Sequence, residues 1–401
     1  MSMLLLGPDR AGRKVLVDGS KISSLDADSA DAQLIACSDA LITLGRVNAH
    51  THLYSALAPL GMPAPATAPK TFLEILERIW WRLDRALDER SIRASARLYV
   101  AQALLSGTTS IVDHHESPNL IEGSLDLLAQ AFDELGGRAL LTYGATERNE
   151  GRVEARRGLE ECARFFWSRG SGLVRGLVGL HASFTVSDET IREAGELARS
   201  LETAVHVHVA EDLADVTDAR ARGFNGPLER LLSMSGLPAR SILAHGVHLD
   251  DEEARRARDA GLWLVQNPRS NANNHVGYPR SLGQSDRVAL GTDGFPSSME
   301  DEERALQREA VAHGESLDVA MQRPHAGRSL IEAHFDARLS FDPGAEADLV
   351  VVGAEGVRHV VVAGQLLVSN GKLTRGDLEE ILAEAHEVAP EVFHRMQVLP
   401  V

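Results

Sequence analysis

Leu173-Val-Arg-Gly-Leu-Val-Gly-Leu180, the charged stretch from Ser187 to Leu201, and Thr203-Ala-Val-His-Val-His-Val209 read in succession as strand, helix, strand. The two apolar runs are short and rich in β-branched residues, whereas the stretch between them carries the charge ladder of a solvent-facing helix. The same alternation extends outward in both directions, from residue 41 to residue 314. Candidate strands fall at Leu41 to Asn48, Thr108 to Asp113, Arg138 to Ala145, Leu173 to Leu180, Thr203 to Val209, Ser241 to Ala244, Gly261 to Gln266 and Arg287 to Leu290. Helical patterns separate them, among them Thr71 to Leu105, Leu120 to Leu135, Arg152 to Trp167, Ser187 to Leu201 and Asp250 to Ala260. Eight such units predict an α/β fold of the (β/α)8 TIM-barrel type.

The flanks read differently. Residues 12 to 40 and 345 to 370 hold short strand-like runs, Lys14 to Val17, Asp348 to Val352 and Val357 to Val362, with no helix between them and with glycines at the turns. They predict two halves of one small β-sandwich domain, residues 1–44 and 337–401, around a barrel of residues 45–336. A final helix is expected over Asp377 to Gln397.

Composition excludes several classes of function. Lys and Arg number 41 against 58 Asp and Glu, a net charge of −17 that repels phosphate backbones and anionic lipid surfaces. Neither a nucleic-acid nor a membrane partner is expected. No stretch reaches the roughly 18 apolar residues of a membrane span, and Met1-Ser-Met-Leu-Leu-Leu-Gly-Pro8 lacks the basic start of a signal peptide. Cys37 and Cys162 stand far apart, which rules out a disulfide framework or a cysteine zinc ribbon and fits a cytoplasmic protein.

In a barrel of this type the chemistry gathers at the carboxyl ends of the strands. Those ends read Asn48-Ala-His50-Thr-His52, Asp113-His114-His115-Glu116, His181, His206-Val-His208-Val-Ala-Glu211, His245-Gly-Val-His248, Asn267-Pro-Arg-Ser-Asn271 and Thr292-Asp293-Gly294. A single core histidine is ordinarily a hydrogen-bonded packing residue, but this many at one end of a barrel is not. Residues two apart on a strand share a face, so His50 and His52 point into the mouth, as do His206 and His208. Imidazoles converging with a carboxylate, and no cysteine, make a catalytic rather than structural metal site, suited to Zn²⁺ or Fe²⁺.

These residues carry a resemblance. Through Val47-Asn-Ala-His50-Thr-His52-Leu-Tyr-Ser, His208-Val-Ala-Glu211-Asp, Ala244-His245-Gly-Val-His248-Leu, Asn267-Pro-Arg-Ser-Asn271 and Leu290-Gly-Thr-Asp293-Gly, in this order, the chain resembles the amidohydrolase superfamily. Within it the chain is most similar to the cytosine deaminase and chlorohydrolase-like branch and its SsnA-type aminohydrolases. The resemblance implies that His50, His52, His208 and Asp293 hold one divalent metal per chain, zinc first and Fe(II) second, while Glu211, His245 and Asp293 act on the substrate. It chooses His208 over His206 through the HxxE pairing, which leaves His206 about 6–7 Å deeper in the strand, in a second layer. The binuclear branch needs a lysine at the end of strand 4; His181 stands there instead, which implies a mononuclear centre.

The implied reaction is deamination of an amino-substituted N-heterocycle, a purine, pterin, pyrimidine or related cyclic amidine, by hydroxide generated at the metal. Asp293 would take a proton, Glu211 protonate the ring nitrogen, and His245 steady the oxyanion. Chloride or alkylamine displacement from a triazine and ring opening of a cyclic amide are the alternatives within the hydrolases. A metal-binding assembly partner without turnover would lack Glu211, Asp293 or a metal histidine, and all are present. Expected substrate contacts are His181, His115, Trp81 and Asn271. The Pro- and Ala-rich insertion from Tyr54 to Lys70, leading into Phe72, Trp80 and Trp81, reads either as a lid or as helix packing. The family implies a homodimer or larger homo-oligomer and a small-molecule heterocyclic partner.

Overall fold

The computed structural model describes residues 3–170 and 172–399; the first two residues of the N-terminal run and the last two of the chain lie outside it. Eight parallel strands run round in chain order: β1 Arg46–Thr51, β2 Thr108–Asp113, β3 Arg138–Leu141 continued by Gly144–Ala145, β4 Val174–Gly176 continued by Val178–Ala182, β5 Val205–Val209, β6 Ile242–His245, β7 Trp263–Gln266 and β8 Val288–Leu290. The ring closes where the Thr292 and Asp293 N–H groups donate to His50 O at 2.9 and 3.0 Å. Each expected strand overlaps one of these barrel strands. Within the barrel Val47, Val112, Leu140, Val265 and Ala289 are buried together against Leu330 and Ile331 of the helix Arg323–Phe335. Each such aliphatic side chain contributes about 1.5–3 kcal/mol on burial.

Two expected elements divide. Leu41 to Asn48 is not one strand: Leu41–Leu44 pairs antiparallel with Leu349–Gly353 in a flanking sheet, and β1 begins at Arg46. The chain changes sheets at Gly45, where a Cβ would overlap the Thr109 side chain, so only glycine allows the approach. The stretch Thr71 to Leu105 is not one helix either. It forms Phe72–Ile75, a wide turn Leu76–Trp80, Trp81–Ala86 and then Glu89–Leu105. Asp88 starts the last of these by accepting the Ser91 N–H at 2.9 Å while its own N–H donates to Ser91 Oγ at 2.8 Å, a reciprocal cap that a continuous helix could not make.

The flanking segments form a four-stranded sheet, Leu4–Asp9, Val15–Asp18, Lys21–Leu25 and Gln33–Cys37, and a five-stranded sheet, Leu41–Leu44, Leu349–Gly353, Gly356–Val362, Gln365–Ser369 and Lys372–Leu373. Leu6, Val17 and Ile22 from the first share one apolar cluster with Ile42, Val351 and Val361 from the second. Val350 and Val360, one residue out of step, point to the other face and join the core under Glu89–Leu105. Arg138 at the start of β3 ties barrel to sheet through Asp348, with Nε and Nη2 at 3.1 and 3.2 Å from its two carboxylate oxygens. Both residues are buried, a charge pair tolerable only because Asp348 also accepts the Ala363 N–H at 2.8 Å. The final helix, Leu378–Val398, lies on Glu89–Leu105 and Trp81–Ala86 rather than on the four-stranded sheet. Arg82 and Arg395 hold it there through Leu399 O and Ala86 O, each at 2.7 Å. No described helix is long and apolar enough to cross a membrane.

Candidate metal centre and substrate cavity

Strand alternation brings His50 and His52 from β1 and His208 from β5 to one point at the mouth, and Asp293 joins them just past β8. One ligand atom from each lies within 4.8 Å of all the others. The ring nitrogen of each histidine that faces away is tied off. His52 Nδ1 donates to His114 O at 2.5 Å, His208 Nδ1 donates to His181 O at 2.6 Å, and His50 Nδ1 lies 3.0 Å from His206 Nε2. That fixes each Nε2 toward the centre, the arrangement by which outer partners orient metal-binding imidazoles. His206 therefore stands behind His50, in the layer the resemblance implied.

The centre holds an uncompensated demand for positive charge. His50 Nε2 is buried with no hydrogen-bond partner, 3.5 Å from Asp293 Oδ1. His52 Nε2 and His208 Nε2 face one another at 3.4 Å, and His52 Nε2 is 2.9 Å from Asp293 Oδ1. Burial pulls the His52 imidazole down, but Asp293 and the charge of Glu116 outweigh it and hold it at about 10. Burial would also raise Asp293, yet the His50 and His52 rings keep its carboxyl well below the usual range. Desolvation holds His50 at about 3, a neutral ring with a free lone pair. Once the His52 Nε2 proton is displaced, three imidazole nitrogens and one ionised carboxylate fit a divalent cation.

Backbone conformation aims the remaining groups. His245 and Asp293 sit at φ +77° and +53°, a left-handed region uncommon for residues with a Cβ and concentrated at functional sites. His245 Nδ1 lies 3.0 Å from Asn271 Oδ1 and 3.3 Å from Asn267 Nδ2, and these two amides orient the ring so that Nε2 faces Glu211 Oε2 at 3.5 Å and Asp293 Oδ2 at 4.0 Å. Burial, then the Asp293 charge, raises the Glu211 carboxyl well above its ordinary value. Ser270 Oγ donates to Asp293 Oδ2.

Beneath the centre a buried polar knot locks β1 to the chain after β8. Tyr99 OH meets Asn48 Nδ2 at 3.0 Å, Thr51 Oγ1 at 2.7 Å and Thr292 Oγ1 at 2.8 Å, while Asn48 Oδ1 accepts the Thr292 N–H at 3.1 Å. Because Thr292 precedes Asp293, the knot fixes the strained peptide that aims the carboxylate. Tyr99→Phe keeps the ring but leaves these partners short of one hydrogen bond, and lowers stability by about 1–3 kcal/mol. Urea unfolding reads this; an unchanged midpoint with unchanged slope would show that the knot holds nothing.

A narrow cavity opens over the centre. His52, His208, Glu211 and Asp293 form its floor, and Phe72, Trp80 and Trp81 line it, so the aromatic residues after the insertion face substrate space and not only neighbouring helices. His181 and Trp81 line it. His115 and Asn271 do not, and the expectation is corrected for both. The turn after β2 sends His115 away, onto Ser117 Oγ at 2.9 Å and against the Tyr143 ring, and presents Glu116 instead. Asn271 sits on the helix Pro268–Asn273 facing His245, and Asn274, one turn on, reaches the cavity. Sequence reading missed Tyr54, Asp84, Phe184 and Asp215 as lining residues. Asp84 lies in Trp-Arg-Leu-Asp-Arg-Ala, whose charges look like a solvated helix face, yet it is 1% exposed.

Residues 41–367 match the model of the Amidohydrolase family. The chain is 28% identical over 393 residues to the 5'-deoxyadenosine deaminase of Methanopyrus kandleri, covering 88% of this chain and 86% of that protein. It is 29% identical over 313 residues to the 8-oxoguanine deaminase of Pseudomonas aeruginosa, 73% of this chain and 69% of that one. Among solved structures, a zinc-bound adenosine deaminase from Xanthomonas campestris superposes with a TM-score of 0.82 at 21% identity, over 98% of this chain and 97% of the other. The zinc-bound atrazine chlorohydrolase TrzN from Arthrobacter aurescens gives 0.79 at 21% identity, over 97% and 100%. At that identity these two likenesses are of fold.

Proposed function

This chain belongs to the amidohydrolase family, and we propose that it hydrolyses the exocyclic C–N bond of an amino-substituted N-heterocycle, a purine base or nucleoside before other rings, releasing ammonia. One observation carries the reading: the His50, His52, His208 and Asp293 donors converge at the base of a cavity that Glu211 also lines. We assign those four residues to one divalent metal, and the nitrogen-rich donor set supports zinc before Fe(II). When bound, such a cation supplies a Lewis acid that brings the pKa of a water toward about 7.

The chain's own residues supply the rest. Glu211, lining the cavity with its proton, donates to the ring nitrogen next to the carbon attacked. Asp293 Oδ2, with Ser270 on its other side, accepts a proton and passes it to the leaving amine. His245 Nε2 faces both carboxyl groups and steadies the developing oxyanion, and as the C–N bond breaks the second proton of the attacking water returns to Glu211. Trp80, Trp81 and Phe72 cover a planar ring and keep bulk water out. The free, buried Cys37 and Cys162 support a cytosolic location. We further read residues 1–44 and 337–401 as a small β-sandwich domain beside a barrel of residues 45–336, and the working unit as a homodimer.

Metal analysis coupled to ammonia release, on purified protein against aminopurines, their nucleosides, pterins, aminopyrimidines and triazines, tests the proposal. One zinc or iron per chain with ammonia from a ring amine is the expected result. Release of chloride, or ring opening without ammonia, would replace the deaminase reading; a metal-free active protein would remove the ligand assignment.

A further inference from the structure

One wall of the cavity has features the deamination steps do not use. Asp84 and Glu116 both line it, at 1% and 2% exposure. Asp84 Oδ2 accepts from Arg148 Nη2 at 3.1 Å, while Asp84 Oδ1 is buried with no hydrogen-bond partner. Glu116 Oε2 accepts the Tyr54 hydroxyl at 3.0 Å, and Oε1 lies 2.7 Å from His114 Nδ1. The counter-charges stand behind the carboxylates: neither Arg148 nor His114 lines the cavity, and among the described residues no Lys or Arg does. Both carboxyl residues thus border the substrate space, while the Arg and His that partner them do not.

A buried carboxylate oxygen without a donor carries an uncompensated desolvation cost, which an N–H brought by a ligand relieves. Aromatic faces of Tyr54, Trp80 and Trp81 line the same space, and the Trp81 ring already takes the Arg148 guanidinium, 4.9 Å from its centroid. Carboxylates and π faces together favour a cation, and on this wall, away from the metal-site floor, two carboxylates with no Lys or Arg among the described lining residues oppose an anion. We propose that Asp84 and Glu116, beside Trp81, form a subsite for a protonated amino or amidinium substituent of the substrate. The enzyme thereby selects donor-rich, cationic heterocycles and rejects those bearing a phosphate or carboxylate tail. The assignment rests on this cavity being the substrate site of the proposed deaminase.

Calorimetric titration of the metal-loaded protein with benzamidinium and with benzamide, its neutral near-isostere, tests the subsite without requiring turnover. Benzamidinium binds at least about tenfold more tightly than benzamide. In Asp84→Asn and in Glu116→Gln the ratio falls to within about threefold of unity. Equal affinities in the unsubstituted protein, or no benzamidinium binding, overturn the subsite whether or not the variants fold. A preference that survives in both folded variants places the cation elsewhere and overturns it as well. Failure of the deaminase reading is seen separately, as no ammonia from any ring amine.

Discussion

Asp293→Asn lowers kcat/KM for ammonia release by at least about 10³-fold, because one carboxylate is asked to do two things. Its Oδ1 lies against His52 Nε2 and His50 Nε2, where it contributes the one negative charge of the donor set; its Oδ2 lies toward His245 and is held by Ser270. Asparagine has the same shape, and it tolerates the φ of +53° better than most residues, so the variant folds. What it loses is the charge that favours a cation and the basicity that accepts a proton. Metal content falls with activity at limiting metal, and saturating metal restores occupancy but not turnover. Turnover within tenfold of the unsubstituted enzyme would falsify the assignment of Asp293 as the proton acceptor.

Glu211→Gln reduces kcat by about 10²–10⁴-fold with KM changed far less. Burial and the neighbouring Asp293 charge raise the Glu211 carboxyl well above its ordinary value, and the proposed mechanism uses it as the acid in the cavity. Glutamine preserves the volume and can still donate a hydrogen bond to a ring nitrogen, so binding persists. It has no proton to transfer, so the chemical step slows. Single-turnover measurement of ammonia separates the two effects. A variant with normal kcat and raised KM would make Glu211 a binding residue and leave the acid unassigned.

The barrel was legible because eight apolar runs and the charged helices between them repeat a pattern only a few topologies can bury, and the metal donors were legible because strand alternation forces His50 and His52 to one side. Both are properties of local chain geometry. What the sequence hides is what depends on contacts between distant residues. Leu41 to Asn48 is uniformly strand-like, and only the approach of Thr109 makes Gly45 the point where the chain changes sheets. His115 and Glu116 are adjacent and equally plausible; the turn after β2, seated between β1 and β3, decides that Glu116 faces the cavity. Asn271 becomes the orienting partner of His245 because the two lie at hydrogen-bonding distance across neighbouring strand ends, 26 residues apart in sequence.

The sequence by itself determined the alternation of strands and helices and placed the histidines at the strand ends, since periodicity acts through covalent geometry. The tertiary structure alone decided that His50 Nε2 is buried without a partner, that Asp84 is buried with one oxygen unpaired, and that the Glu211 carboxyl is raised above its ordinary value. Those depend on burial and on charges brought together from across the barrel, and no local pattern encodes a dielectric environment.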